Sequence, residues 1–182
     1  MEFKVAPPAG WSWLWSDRYS YRLSAVPNLA LTGHQLSPGA DWHAIFNRLP
    51  VGTAQSIPFG AAELAPGDPV LFAHPTSIVE FIAGPADRRI HGSLGLLPGA
   101  YQGASTTDGV DFTVEFSGDD GVRQVLYHRY LNPRDEIADQ GTQYFSATLP
   151  AGSGGRLLLR VWNPPYRTAA WDWAFWRNVV IE

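Results

Sequence analysis

Val110, Phe112, Val114 and Phe116 alternate with Asp111, Thr113 and Glu115. This period-two run constrains the chain most, because successive side chains of a strand point to opposite faces. It predicts a strand with one face in a core and the other in water. Further extended segments are expected at 70–72, 77–82, 90–97, 122–131, 142–149, 156–162 and 173–181. Gly118-Asp119-Asp120-Gly121 and Gly152-Ser153-Gly154-Gly155 read as hairpin turns between them. Short strands parted by turns, almost without helix, predict an all-β chain folded as an antiparallel β-sandwich of the jelly-roll kind.

The N-terminal part reads differently. Trp11, Trp13 and Trp15 alternate with Ser12 and Leu14, and Tyr19, Tyr21 and Leu23 alternate with Ser20 and Arg22. Both runs argue for extended chain with one aromatic face. Trp42, Ile45, Phe46 and Leu49 fall at helical spacing, with Asp41 placed to cap the start and Pro50 to stop it, so a short helix is expected. Ala65-Pro66-Gly67-Asp68-Pro69 is a turn and the most natural internal boundary. The expected organisation is an aromatic-rich segment, 1–66, packed on a sandwich formed by 67–182.

At 182 residues, 45% hydrophobic and 16% charged, the chain has the size and composition of one globular domain. Its net charge is −4 and no basic stripe is visible, so nucleic acid is not an expected partner. The absence of cysteine excludes disulfides, thiolate catalysis and zinc–cysteine sites. The first residues lack a basic segment followed by an apolar run, and no stretch reaches membrane-spanning length. No signal peptide and no membrane insertion by this chain are expected. The compartment stays open between the cytoplasm and export as part of a larger protein.

Enzyme signatures are missing. There is no nucleophile elbow, phosphate loop or dinucleotide fingerprint, and His34, His43, His74, His91 and His128 show no zinc spacing. Glu63, Glu80, Glu115 and Asp172 supply carboxylates, but no spacing selects two of them as the pair a glycosidase needs. Asp108, Asp111, Asp119 and Asp120 could offer oxygens to a structural calcium. The order of a calcium loop is absent, and Asp119-Asp120-Gly121 is more simply a turn.

The richest candidate is the corner Trp171-Asp172-Trp173-Ala174-Phe175-Trp176, preceded by the loop Asn163-Pro164-Pro165-Tyr166-Arg167. Sugar rings have apolar CH faces and polar rims, so aromatics beside charged groups suit them. On this reading a sugar stacks on Trp171, Trp162 or Tyr166, while Asp172, Arg160 or Arg167 bonds its hydroxyls. The alternative makes Trp173 and Trp176 core residues and Asp172 a local acceptor, which suits large aromatics on a strand. The stripe Trp11, Trp13 and Trp15 is read as packing on the sandwich, with docking of a protein partner as its alternative.

Four segments in order carry a family resemblance: Asp108-Gly109-Val110-Asp111-Phe112-Thr113-Val114, Val125-Leu126-Tyr127-His128-Arg129, Gly155-Arg156-Leu157-Leu158-Leu159 and Asp172-Trp173-Ala174-Phe175-Trp176. Over roughly residues 67–182 the chain resembles the NPCBM-type (novel putative carbohydrate-binding module) group of galactose-binding-like β-sandwiches. The resemblance implies that fold, a glycan or polysaccharide ligand, a role as an accessory module, and in some members a structural calcium. The resulting expectation is a non-catalytic carbohydrate-binding domain, with Trp162, Tyr166, Arg167, Trp171 and Asp172 at the ligand and no required cofactor. A structural or protein-interaction domain of a larger surface or membrane-associated protein is the alternative, and a small polysaccharide hydrolase ranks last.

Overall fold

The structure, a computed structural model, describes residues 11–14, 24–27, 42–57, 59–104, 106–118, 121–152, 154–164 and 167–182, the first two segments as backbone only. Their strands are β1 (Trp11–Leu14), β2 (Ser24–Pro27), β3 (Gly52–Gln55), β4 (Gly60–Glu63), β5 (Pro69–Phe72) and β6 (Ser77–Ala83). Beyond these come β7 (Arg89–Leu96), β8 (Val110–Gly118), β9 (Arg123–Leu131), β10 (Gln143–Thr148), β11 (Gly155–Trp162) and β12 (Ala174–Ile181). One turn of helix, α1, spans Trp42–Ile45.

Two antiparallel five-stranded sheets form a sandwich, in the orders β10-β7-β12-β5-β4 and β3-β6-β11-β8-β9. Between them lies one core. Val110, Phe112 and Val114 from β8 and Leu157, Leu159 and Val161 from β11 meet Leu94, Leu96, Phe145 and Trp176 from the facing sheet. No described helix is long and apolar enough to cross a membrane. β1 and β2 pair with each other as a separate antiparallel ribbon.

The expected strands from residue 70 onward are all present, with ends within a residue or two. Turn chemistry explains the ends. Gly121 takes a φ of 73°, and its N–H donates to the Gly118 carbonyl at 3.0 Å, which reverses the chain between β8 and β9. On β10 the alternation is strict: Phe145 and Ala147 are buried, whereas Tyr144, Ser146 and Thr148 are exposed.

One expectation needs correction: β8 does not turn its polar face to water, since Asp111 and Thr113 are each 1% exposed and Glu115 7%. The sheet carrying β8 is buried on both sides there. The expected short helix is present and is one turn long. The Phe46 N–H bonds the Trp42 carbonyl at 2.8 Å, but the chain then runs alongside β12, with the Asn47 N–H donating to Val179 at 3.2 Å. Pairing with β12 unwinds the segment before Leu49, which is left 49% exposed, while Trp42, Ile45 and Phe46 enter the core. Asp41, the expected cap, lies outside the described residues. The 65–69 turn joins β4 to β5 within one sheet.

Topology sorts the connections by length. At one end the links are short: 64–68, 84–88, 119–122 and 149–154. At the other end lie 97–109, 132–142 and 163–173, the three longest connections after β3, together with 73–76. Loops on a rigid scaffold are where binding groups concentrate. The long-loop end is therefore the first place to look for a site.

Candidate functional site

The long-loop end is built around one buried carboxylate. Asp172 is 0% exposed. Thr107, also 0% exposed, donates its hydroxyl to Asp172 Oδ1. The same Thr107 oxygen accepts the Gly109 N–H at 2.9 Å. With its amide turned to face complementary partners, Asn163 donates to Asp172 Oδ2 at 3.1 Å and accepts the Ala169 N–H at 3.0 Å. One side chain thus ties the 97–109 loop to both ends of the 163–173 loop. Asp108 adds a second tie, accepting the Thr168 N–H at 3.2 Å on its carboxylate, while its carbonyl accepts the Tyr130 hydroxyl at 2.8 Å.

This framework holds Trp171 outward. Its φ is 65°, a left-handed conformation that is strained for a bulky residue and lies within two local backbone turns. The Asp172 N–H reaches Ala169 at 3.4 Å, and the Trp173 N–H reaches the Trp171 carbonyl at 2.9 Å. Trp171 is 40% exposed, and its ring lies 5.1 Å from the ring of the partly buried Trp173 at 43°. Arg167 is exposed in the same loop, its N–H fixed to the Pro164 carbonyl at 3.1 Å. Asp135 of the 132–142 loop interacts with the Arg167 charge and pairs with Arg134 at 2.8 Å. The Arg134 and Asn132 hydrogen bonds hold the Asp135 carboxyl down at about 2.

Burial pushes Asp172 up to about 7, against the Thr107 hydrogen bond and with the charge of Asp108 adding to the rise. The sign of the resulting pH effect is fixed. Between about pH 4 and pH 7 the folded chain holds a proton on Asp172 that the unfolded chain has lost. Stability from this group is therefore greatest at acid pH and falls as pH rises through the folded value. From pH 5 to pH 8 wild type is expected to lose on the order of 1–2 kcal/mol relative to Asp172→Asn, discounted because Thr107 and Asn163 favour the charged form. Melting curves of both chains across that range measure it. Parallel pH profiles would mean that Asp172 is ionised throughout.

The sequence candidates do not gather at one point. Trp171, Arg167 and Asp172 share the 163–173 loop, and Tyr166 lies outside the described residues. Two of the expected ligand groups are buried. Asp172 faces inward, with both oxygens taken by the loops it joins. Trp162 is 3% exposed, and the Arg160 guanidinium sits over its ring at 5.9 Å, so no sugar stacks there. Thr107 and Asn163 were not singled out by sequence. Their only signal is position, in a Thr-Asp-Gly turn and beside an Asn-Pro-Pro loop.

Other candidates resolve as follows. Glu80 pairs with Arg156 at 2.5 Å and Glu115 with Arg160 at 3.3 Å, so two of the carboxylates open to a hydrolase are held in ion pairs. Among the described residues no three His, Asp or Glu groups cluster as a metal site, and Asp119 and Asp120 lie outside them. Trp11 and Trp13 lie on β1, where only the backbone is described, and Trp15 lies outside the described residues.

No known protein family and no curated protein matches the sequence. Solved structures do. The M60 catalytic domain of Clostridium perfringens ZmpB with its CBM51-1 and CBM51-2 domains aligns with a TM-score of 0.50 and 10% identity, over 71% of this chain and 14% of that one. CBM51-2 of the same ZmpB, in complex with GlcNAc and with the INT domains, gives 0.46 and 12%, over 84% and 29%. The tandem CBM51 modules of Sp3GH98, a family 98 glycoside hydrolase from Streptococcus pneumoniae SP3-BS71, give 0.42 and 14%, over 62% and 30%. The chain spans less than a third of the length of each. At such identity the likeness is one of fold. The shared fold is the antiparallel β-sandwich that the sequence predicted.

Proposed function

We propose that this chain is a non-catalytic carbohydrate-binding domain that takes a glycan at its long-loop end. Trp171 offers a ring face to the apolar side of a sugar, and Arg167 supplies hydrogen bonds to its hydroxyls. Asp172 acts from behind, tying the loop that carries both to the 97–109 loop. The observation that carries this reading is Trp171 itself: a large aromatic held out of the core in a left-handed conformation, in the same loop as an exposed arginine. The fold supports it, because the ZmpB structure joins CBM51 domains of this architecture to a catalytic domain. An open site of this size gains little from area alone, so affinity for a single sugar is weak.

A glycan array probed with the folded chain tests the proposal. A specific, saturable signal is expected, weakened at least about tenfold by Trp171→Ala, the loss of roughly 1.4 kcal/mol that removal of a central aromatic anchor brings. Arg167→Ala should weaken it as well, and both variants should melt with wild type. A blank array from a well-folded protein, or a signal indifferent to both substitutions, would overturn the reading.

A further inference from the structure

The second sheet is buried on a face that the sandwich does not use. Leu157, Leu159 and Val161 of β11 and Val79 and Phe81 of β6 belong to the core, so Leu158, Arg160, Trp162, Ile78 and Glu80 stand on the outer face. The register lays Ile78 opposite Arg160 and Glu80 opposite Leu158, with Thr113 of β8 on the far side of Arg160. None of these six is more than 5% exposed. Ile78 and Leu158 join Ala54 of β3 in a small apolar cluster apart from the core. Two residues further along both strands the cover stops: Ile82 is 47% exposed, and Arg156, opposite it, is exposed too. The covered stretch of β11, from Leu158 to Trp162, is about 13 Å long.

This face is buried within a single chain, so its cover comes from the same chain. β3–β12 make up the two sheets, and α1 gives its apolar residues to the core. Beyond residue 41, the stretches outside the described residues are at most two residues long, too short to cover a sheet. Among the described elements the ribbon β1–β2 alone has no place in the sandwich. We propose that the N-terminal segment, through this ribbon, docks on the outer face of the second sheet as a third layer, with positions 11 and 13 turned toward it. A two-stranded ribbon is marginal in water by itself and needs a surface to bury against. Pairing of Trp11 with Pro27 and of Trp13 with Ala25 sets four apolar residues on one face, while Ser12, Leu14, Ser24 and Val26 share the other. Burial of the wholly apolar face is the favourable choice. Four extended residues span about 13 Å, the length of the covered stretch. Indole faces also suit a buried guanidinium such as that of Arg160.

Hydroxyl-radical footprinting of the full chain, read by mass spectrometry, tests the docking. In wild type, Trp162, Leu158 and Ile78 should resist oxidation while Ile82, on the same strand as Ile78, is oxidised. Trp11→Ser combined with Trp13→Ser should raise oxidation of Trp162 and Leu158 at least about fivefold, by opening the layer over them. Trp176, inside the sandwich, should stay protected and so report that the two sheets are still folded. Unchanged protection of Trp162 in that variant overturns the proposal. So does protection in wild type that fades on dilution, which would make a second copy the cover. Ala25→Cys decides the matter where the double variant fails to fold. The chain has no cysteine of its own, so this substitution supplies one attachment point for a short diazirine crosslinker on the ribbon face that carries positions 11 and 13. Crosslinks to β6, β8 or β11 within one chain are expected. Crosslinks only to the other sheet, or only between chains, overturn the docking. Neither measurement involves a glycan, so the result is independent of the long-loop end.

Discussion

Trp176→Ala is expected to cost about 3–5 kcal/mol, read from the midpoint of urea unfolding at unchanged slope. Trp176 is fully buried and sits where three strands converge. Its ring meets Phe112 of the facing sheet edge-on, at 5.3 Å and 86°, and Phe145 of the outermost strand β10 at 5.6 Å and 75°. Each is the edge-to-face geometry that aromatic pairs favour beyond simple burial. Alanine leaves a gap that neither neighbour can fill from its own strand, because both are anchored by sheet pairing. Set against a typical total of 5–15 kcal/mol, such a loss leaves the chain close to unfolding at ordinary temperature. A cost below about 1.5 kcal/mol would mean that the core collapses around the deletion and that the two sheets are not locked together at this ring.

The same residue shows what sequence could and could not give. A Trp on an apolar strand next to an Asp-Trp corner has two readings, core and sugar platform, and period alone does not choose between them. Topology does: Trp176 is placed on β12, the central strand of its sheet, while Trp171 is placed on a loop. The strands from β5 onward were legible because large apolar residues alternate and Gly or Asp pairs close the turns. β3 and β4 were not, since Gly-Thr-Ala-Gln and Gly-Ala-Ala-Glu carry no large side chain to show an alternation. They become strands by pairing with β6 and β5, a tertiary contact. The buried polar face of β8 was hidden for a related reason. Alternating polar residues look the same in sequence whether water or other chain covers them.

At the candidate site the legible part was the aromatic and charged side chains, and the illegible part was what orients them. Asp172 reads as a ligand group because it is acidic and flanked by Trp. In the fold it is the post to which Thr107 and Asn163 are tied, sixty-five residues away in sequence on one side and nine on the other. Contacts of that separation leave no local pattern. The site's dependence on the 97–109 loop is likewise visible only through the backbone at Gly109.

Gly109→Ala is expected to destabilise the chain by about 2–4 kcal/mol, with loss of glycan binding at the long-loop end. Two effects add. The φ of Gly109 is 105°, where an L side chain is strained in any surroundings. A Cβ built there would lie 2.1 Å from the Tyr130 hydroxyl oxygen and 2.4 Å from its ring carbon, so the tyrosine must move. Moving it gives up the 2.8 Å bond from that hydroxyl to the Asp108 carbonyl. The Gly109 N–H also holds the Thr107 oxygen that bonds Asp172, so the shift passes to the carboxylate joining the two loops. Unfolding measured for Gly109→Ala, Tyr130→Ala and the double variant separates the terms. A coupling of about 1 kcal/mol or more, with the double variant less destabilised than the sum, is expected if the clash contributes. Strict additivity would assign the whole cost to the backbone angle. A Gly109→Ala chain as stable as wild type and still binding glycan would show that the 97–109 loop does not set the geometry of the site.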